Sequence, residues 1–218
     1  MRPTGGGLDA ADGAWSHGRV PQQERPPLVD DDALDELERE WFGRVHGRVL
    51  EIGAGEGENF GALALDVVWT GLEPDAERRT ELAIRAREWG HEQPLLAASA
   101  ERIPVPDGAF DAVIASYVFC TVPDPAAALA ELRRVLVPGG RLVLAEHVGA
   151  PRGTAKRAVQ RLATPSSVRW CHGCHLDRDT ERAIAEAGFL AADVRRVRAR
   201  SFPLGALPIL LYEGVSPA

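Results

Sequence analysis

The sequence predicts an α/β fold in which a mostly parallel sheet carries helices on both faces. Short apolar runs such as "RVLEIG", "VVWTGL" and "FDAVIASYVF" alternate with segments of helical periodicity between residues 45 and 150. Each run is apolar throughout rather than at every second position, which is typical of strands buried on both faces. Strands and helices that alternate in this way indicate parallel strands joined by crossover helices.

The elements follow one another in order. The segment "DDALDELEREWFGRV" begins at an aspartate suited to an N-cap and places Leu34, Leu37, Trp41 and Phe42 on one helical face. Strands are predicted in "GRVLEIGAG", "VVWTGLEPD", "EQPLLAASA", "FDAVIASYVF" and "RLVLAEHV". Helices are predicted between them in "GENFGALAL", "AERRTELAIRAREWG" and "PDPAAALAELRRVLVPGG", the last with a Pro-Gly-Gly stop.

The pattern changes after residue 150. A helix and a loop are predicted over the carboxyl edge of the sheet, followed by a helix in "DRDTERAIAEAGF". The last two strands, "LAADVRRVRA" and "LPILLYEGVS", are separated by a short gap that predicts an antiparallel pair. Residues 1–29 are rich in Gly, Pro, Asp and Gln and are predicted to be a disordered tail, so that residues 30–218 form one domain.

Composition excludes several classes of protein. The chain has 218 residues and a net charge of −7, which argues against a nucleic-acid binder because phosphate neutralisation needs a basic face. No stretch approaches the roughly 18 apolar residues of a membrane span, and the first residues lack the features of a signal peptide. Three cysteines do not make a disulfide framework. These features predict a cytoplasmic protein, and they do not set its oligomeric state.

A glycine-rich turn follows the first strand of the alternating region, which is the usual ligand-binding position of such sheets. A dinucleotide fingerprint would need a sixth-position glycine where the chain has Glu58, and the Gly-Lys-Ser/Thr ending of a Walker motif is absent. Neighbouring carboxylates would also repel a pyrophosphate. The turn therefore favours a ligand that is cationic and carries no phosphate. The glycines are Gly53, Gly55 and Gly57, and the nearby carboxylates are Glu51, Glu56 and Glu58.

Five motifs in order resemble the class I S-adenosylmethionine-dependent methyltransferases over roughly residues 30–215. They are "EIGAGEG", "GLEPD", "ASAERIPVPDGAFD", "FDAVIASYVFCTVPDP" and "ELRRVLVPGGRLVLAEH". The resemblance implies a Rossmann-like, doubly wound sheet of seven strands, mostly parallel with one antiparallel strand. It also implies S-adenosyl-L-methionine as cofactor, whose sulfonium and ammonium groups suit a turn lined with carboxylates.

The same resemblance assigns the cofactor-binding residues. The acid at the end of the second strand, Glu73, would accept hydrogen bonds from both ribose hydroxyls. Ser99 replaces the aspartate that the family usually places near the adenine, which leaves more of that recognition to the Ala100 backbone. The glycine turn would hold the methionine end of the cofactor, over which Ser116 and Tyr117 would close. The full set is Glu51, Gly53, Ala54, Gly55, Gly57, Asn59, Glu73, Pro74, Ser99, Ala100, Glu101, Ser116 and Tyr117.

Four shorter stretches, "GENF", "VFCTV", "LVLAEHV" and "WCHGCHLDRDT", together resemble the methyltransferase-like 7 branch, whose animal members methylate alkyl thiols. This implies a small-molecule acceptor with a thiol sulfur. Thiols need little help from a base because their pKa lies near 8.5. O-, N- or C-methylation of a small aromatic or quinone-like metabolite is the alternative. An NAD-dependent oxidoreductase is disfavoured by Glu58 and by the lack of a Tyr-x-x-x-Lys set, and a non-catalytic subunit by the intact glycine turn.

His147, at the carboxyl end of a strand, is the main candidate to position or deprotonate the acceptor, with His175 second. The predicted substrate pocket consists of Phe119, Cys120, Trp170 and Cys174, with Tyr117 and Leu176 nearby. The stretch "CHGCH" admits a zinc site, a redox pair or a pocket-lining loop. Zinc would need a second ligand pair, for which only Cys120 and His147 are available. The sequence therefore favours a loop without metal.

Overall fold

The computed structural model describes residues 26–171, 173–201 and 205–217. The strands are β1 (Leu28–Val29), β2 (Arg48–Ile52), β3 (Val68–Leu72), β4 (Phe110–Ser116), β5 (Leu136–His147), β6 (Leu190–Ser201) and β7 (Gly205–Val215). The helices are α1 (Asp31–Phe42), α2 (Ala76–Glu88), α3 (Pro125–Val135), α4 (Ala155–Trp170) and α5 (Thr180–Glu186), with a 3-10 helix at Phe60–Ala62.

The strands form one sheet in the order β1-β6-β7-β5-β4-β2-β3. Strand β7 runs antiparallel to both of its neighbours, β5 and β6, and the other pairings in the described chain are parallel. The predicted α/β class, the mostly parallel sheet and the final antiparallel pair are therefore confirmed.

The seven strands are not quite the seven that the sequence predicts. The segment "EQPLLAASA" contributes one bridge, in which Leu96 pairs with Leu72 of the edge strand β3. Pro94 lacks an N–H group, and the pairing is limited to the two backbone hydrogen bonds of Leu96, with Gly71 and Glu73. The predicted helix in "GENFGALAL" is reduced to a single 3-10 turn.

The seventh strand comes instead from the segment that was predicted to be disordered. Leu28 and Val29 pair in parallel with β6, and the Arg198 backbone N–H donates to the Pro27 carbonyl at 2.8 Å. The sheet therefore begins before residue 30, because Leu28 and Val29 already pair with β6. Residues 1–25 of the predicted tail lie outside the described residues.

Local sequence signals fix where three helices begin. The aspartates Asp30, Asp75 and Asp124 are N-caps, and each side chain accepts a hydrogen bond from a backbone N–H group in the first turn. In α3 a proline follows the cap directly, in the position where its missing N–H has no cost. Asp75 and Asp124 thus fix the start of the helices that lead away from the carboxyl ends of β3 and β4.

The sheet buries two apolar faces because successive side chains point to opposite sides. Leu50 and Ile52 of β2 pack on one face with the apolar sides of α3 and α5. Val49, with Trp69 of β3, packs on the other face against α1 and α2. Leu34 and Leu37 of α1 are partly buried, and the helix ends in the fully buried pair Trp41 and Phe42.

The parallel strands β2, β3, β4 and β5 all end at the same edge of the sheet. The loops that follow them therefore meet in one place, which is where open α/β sheets bind their ligands. Within the described residues, no helix combines the length and the apolar character that crossing a bilayer requires.

Candidate active site

A cavity of about 940 Å³ opens at this edge of the sheet. Its walls come from the loops after β2, β3 and β4, the end of β5, one side of α1 and the segment after α4. Six carboxylates and two guanidinium groups line it, so its electrostatic field suits a ligand with positive charge. The carboxylates belong to Asp35, Glu38, Glu51, Glu58, Glu73 and Glu101, and the guanidinium groups to Arg39 and Arg78.

The glycine turn after β2 is held in a left-handed backbone conformation that favours glycine. Gly53 has φ +60°, and a Cβ atom there would lie 2.6 Å from a methyl group of Val118. Gly57 has φ +85°, and its Cβ would lie 2.2 Å from the ring of Phe60. The absence of a side chain at Gly53 therefore makes room for Val118, and its absence at Gly57 lets Phe60 pack beneath the turn.

Glu73, at the end of β3, is buried, with 4% of its surface exposed. Its Oε2 accepts a hydrogen bond from the Gly55 backbone N–H at 3.0 Å, and its Oε1 accepts one from the Asp75 N–H at 2.8 Å. Because each carboxylate oxygen has two lone pairs, both oxygens keep an acceptor site while the carboxylate is fixed in place.

Glu51, in β2, uses both of its carboxylate oxygens inside the protein. Oε1 accepts from the Asn59 side-chain amide at 2.6 Å, and Oε2 accepts from the Trp69 indole N–H at 2.7 Å. Burial raises the pKa of Glu51 to about 7, although these two hydrogen bonds act in the opposite direction. Its carboxylate thus connects the segment after the glycine turn to β3. This is a structural role, whereas the sequence predicts direct contact between Glu51 and the ligand.

Tyr117, directly after β4, joins the sheet to α1. It is the single non-glycine residue with positive φ, +56°, in the described part of the chain. Its hydroxyl donates a hydrogen bond to the Glu38 carboxylate, and its ring lies against His147 with the centroids 4.6 Å apart. Burial raises the pKa of Tyr117, and the charge of Glu38 raises it further, so the phenol stays protonated.

Two cysteines and His147 meet at the wall of the cavity. The sulfur atoms of Cys120 and Cys174 and a ring nitrogen of His147 all lie within 4.8 Å of one another. Burial lowers the pKa of His147, so its imidazole is neutral at neutral pH. The pKa of Cys174 is lowered to about 7, chiefly by its hydrogen bond with Cys120. The pKa of Cys120 is raised by the same hydrogen bond and by burial.

Glu146 lies behind this group and is fully buried. Its Oε1 accepts from the backbone N–H groups of Val118 and Phe119, both at 2.8 Å, which tightens the turn after β4. Its Oε2 is buried without a hydrogen-bond partner among the described residues. Burial raises the pKa of Glu146 to about 8.

Comparison with known proteins gives this architecture a family. The sequence model of a protein family, described as a methyltransferase domain, matches residues 50–144 of the chain. The chain is 30% identical to human thiol S-methyltransferase TMT1B over 190 residues, which cover 81% of this chain and 75% of that enzyme. The chain belongs to the S-adenosylmethionine-dependent methyltransferases. Their cofactor, S-adenosyl-L-methionine, carries the positive charge that the acidic cavity suits, and the predicted resemblance to class I enzymes is confirmed.

Other relatives show how far the likeness extends. The rat TMT1B enzyme is 33% identical over 65% of this chain, and the match spans 59% of the rat protein. A phosphatidylethanolamine N-methyltransferase from Cereibacter sphaeroides is 30% identical over 64% of this chain and 68% of its own length. The crystal structure of a putative methyltransferase from Bacillus halodurans superposes with a TM-score of 0.70 at 17% identity, over 86% of this chain and all of that one. At that identity the solved structure supports the fold alone.

Most of the predicted cofactor-binding residues of this methyltransferase do line the cavity. They are Glu51, Gly53, Ala54, Gly55, Asn59, Glu73, Pro74, Ser99, Ala100, Glu101, Ser116 and Tyr117. Gly57 does not line it, because it lies below the turn against Phe60. Glu101 also accepts from the Asp124 backbone N–H at 3.2 Å, which holds the loop before β4 against the start of α3.

On the acceptor side three predictions need correction. Phe119 is fully buried in the core below the sheet edge, because the Glu146 carboxylate turns its backbone inward. Trp170 ends α4 with 76% of its surface exposed and does not line the cavity. His175 does not line it either, and its backbone N–H donates to the Cys120 carbonyl at 2.7 Å. Predicted residues Cys120, Cys174 and His147 do line the cavity.

Two features of the site were not predicted from the sequence. One is the wall of the cavity that α1 forms, and the other is the buried acid Glu146. Asp35, Glu38 and Phe42 follow one another at intervals of three and four residues and line the cavity from α1. The apolar residues of this helix predicted its packing against the core, but no role was predicted for Asp35 and Glu38. Glu146 had a detectable signal, because it is a carboxylate inside the otherwise apolar run "LVLAEHV".

Proposed function

We propose that this methyltransferase transfers the methyl group of S-adenosylmethionine to the sulfur of a small thiol. The observation that carries the proposal is the likeness to thiol S-methyltransferase TMT1B, which extends over most of the chain. The acceptor side of the cavity agrees with it, because Cys120, Val122, Pro123 and Cys174 line it with sulfur atoms and apolar groups. The cavity is also of the size that small-molecule sites have.

The cofactor side would hold S-adenosylmethionine in a fixed orientation. Glu73 would accept hydrogen bonds from the ribose hydroxyls through the lone pairs that its backbone contacts leave over. Ser99 and Ala100 would line the adenine. The glycine turn lets the backbone approach the methionine end closely, and the surrounding carboxylates favour its ammonium and sulfonium charges.

The transfer itself needs little chemistry from the protein. The thiolate sulfur uses a lone pair to form a bond to the methyl carbon, while the bond between that carbon and the sulfonium breaks and its electron pair stays on the cofactor sulfur. The negative and positive charges cancel along this path, so an enclosed surface of low polarity favours it. Orientation of the two sulfur atoms and the carbon in line is then the main contribution of the site.

His147 would assist by contact with the acceptor. Its imidazole is neutral because burial lowers its pKa, so it can accept the thiol proton or a hydrogen bond from the thiol. The ring of Tyr117 stacks against it and limits its movement. His175, which does not line the cavity, has no corresponding role.

Turnover against a panel of acceptors tests the proposal. We expect methylation of small alkyl and aryl thiols, read as S-adenosylhomocysteine release and as the mass of the thioether. Phenols, quinols and amines of matched shape are the controls. Turnover of these without any thiol turnover would contradict the proposal.

A second candidate is N-methylation of a small amine. The likeness to the phosphatidylethanolamine N-methyltransferase favours it at the same level of sequence identity. The amine arm of the same panel decides between the two. Six carboxylates around the cavity would also attract a protonated amine, which must lose its proton before it can react.

A further inference from the structure

Three soft ligand groups converge beside the cavity from three different elements. Cys120 lies in the turn after β4, His147 ends β5, and Cys174 lies in the segment between α4 and α5. Their two sulfur atoms and one ring nitrogen lie within 4.8 Å of one another, and all three residues line the cavity. The methyl transfer proposed above does not require two cysteines at this position.

Two thiols and an imidazole form a donor set that zinc prefers. Catalytic zinc sites use three protein ligands and leave the fourth tetrahedral position open. With zinc bonds of about 2.0–2.3 Å, ligand atoms in such a site lie roughly 3.5 Å apart. The observed limit of 4.8 Å thus requires the ligand atoms to approach one another by about one ångström when the metal binds.

The cluster is held in place by contacts outside the three side chains. The His175 backbone N–H donates to the Cys120 carbonyl at 2.7 Å, and the Arg178 guanidinium donates to the Val122 carbonyl at 2.7 Å. Both contacts fasten the segment that carries Cys174 to the turn that carries Cys120. The sulfur atoms are therefore brought together by the fold itself.

A buried carboxyl group adjoins the cluster. Glu146 directly precedes His147 in β5, and its Oε1 accepts from two backbone N–H groups of the turn that carries Cys120. Its Oε2 is buried without a hydrogen-bond partner among the described residues. Glu146 therefore fixes the end of β5 against the turn after β4, and these two segments carry two of the three ligand groups.

We propose that Cys120, His147 and Cys174 bind a zinc ion, with the fourth position facing the cavity and binding the sulfur of the acceptor thiol. The acceptor part rests on the proposed function, whereas the metal site does not. The ligands differ from the Cys171–Cys174 pair that the sequence spacing offers, because Cys171 is exposed and lies outside the cluster. The proposal replaces the sequence-based interpretation of a loop without metal.

The chemical step stays balanced. With His147 bound to zinc, the metal replaces this imidazole in the activation of the acceptor, and the thiol releases its proton to solvent when its sulfur binds the zinc ion. The bound thiolate then forms the new bond to the methyl carbon, and the cofactor sulfur keeps the electron pair of the bond that breaks. The resulting thioether is a weaker ligand than a thiolate, so it leaves the metal. The zinc ion stays divalent throughout.

Cobalt(II) titration of the reduced full-length protein tests the site without any turnover. We expect one equivalent to produce cobalt–thiolate charge-transfer absorption together with the intense visible bands of a four-coordinate ion, both removed by one equivalent of zinc. Cys174→Ser and His147→Ala should each lower zinc affinity by at least about a hundredfold, because each removes a ligand. Cys171→Ser, in the same segment, is the matched control and should bind normally.

The outcomes separate the two parts of the proposal. Absence of the cobalt spectrum, or a Cys120–Cys174 disulfide that re-forms in the presence of zinc, would overturn the metal site. A cobalt spectrum that shifts when a small thiol is added supports the acceptor role. A cobalt spectrum that no thiol perturbs would overturn that role, even if turnover still shows thiol methylation. Turnover that fails on every thiol while zinc binds would contradict the proposed function and leave the metal site standing.

Discussion

The two sides of the cavity are built in different ways. On the cofactor side, each of the four carboxylate oxygens of Glu51 and Glu73 accepts a hydrogen bond, from donors that lie between 2 and 18 residues away in the sequence. On the acceptor side, Cys120, His147 and Cys174 come from separate elements, and one buried oxygen of Glu146 has no hydrogen-bond partner in the part of the chain that the structure describes. The two carboxylates of the cofactor side are thus fixed by nearby hydrogen bonds, whereas the two sulfur atoms and the imidazole of the acceptor side are brought together only by the fold.

The largest expected effect concerns the cofactor side. We predict that Glu73→Ala lowers the affinity for S-adenosylhomocysteine by at least about a hundredfold, because hydrogen bonds to a charged group contribute about 1.5–3 kcal/mol each. Glu73→Gln, which keeps the shape and one acceptor oxygen, should lose about tenfold. Calorimetric titration measures both, with thermal unfolding as the control for folding. Equal affinity in the wild type and in Glu73→Ala would show that Glu73 does not contact the ribose.

A slightly smaller effect tests how rigid the glycine turn is. We predict that Gly57→Ala destabilises the protein by about 3 kcal/mol, because the new methyl group would meet the Phe60 ring in addition to the strain of positive φ. Gly90→Ala is the matched control, with φ +78° but nothing within 4 Å, and should cost about 1 kcal/mol. Chemical denaturation measures both variants. Equal losses of stability in the two variants would mean that the glycine turn can shift to accommodate the methyl group and that Phe60 is loosely packed beneath it.

The same contrast explains what the sequence could predict. The cofactor side was predictable because the "EIGAGEG" turn and Glu73 lie in short, contiguous motifs with a local physical reason for each residue. The sheet and its final antiparallel pair followed from apolar runs and a short gap. Phe119 and Trp170 were misplaced because a single residue of register decides whether a side chain after a strand or at a helix end faces the cavity.

The acceptor side was beyond local reasoning. Cys120 and Cys174 are 54 positions apart, and only the fold brings their sulfur atoms together. The first strand was missed for a related reason, because the pair Leu28–Val29 is too short to show a pattern and is stabilised by β6 near the other end of the chain. Tertiary pairing overrides local composition in both places.

The third prediction concerns pH. The folded-state pKa of Glu51 is about 7 and the ordinary value is 4.5, so the unfolded chain releases this proton first as the pH rises. Glu51 therefore stabilises the fold less and less between about pH 4.5 and 7, by up to about 3 kcal/mol in total. In Glu51→Gln this side chain no longer titrates. Its amide NH₂ would face the Asn59 or the Trp69 donor, so we expect the variant to be less stable than the wild type.

Unfolding free energies of the wild type and Glu51→Gln, measured from pH 5 to 8, check this prediction. We expect the advantage of the wild type to be largest at pH 5 and to shrink as the pH rises. Taking the difference between the two proteins cancels the titration of all other groups. A difference that stays constant over this range would mean that Glu51 is ionised throughout and that its two hydrogen bonds outweigh burial.

The smallest expected effect lies where the two sides meet, at Tyr117. We predict that Tyr117→Phe weakens cofactor binding about fivefold, because it removes the hydrogen bond to Glu38 that holds α1 over the cavity, worth about 1 kcal/mol. Glu38→Gln is the matched control, since its amide oxygen still accepts from the tyrosine. Thiol turnover at saturating cofactor should change little in either variant. If Tyr117→Phe instead lowered turnover and left cofactor affinity intact, Tyr117 would belong to the acceptor side, through its contact with His147.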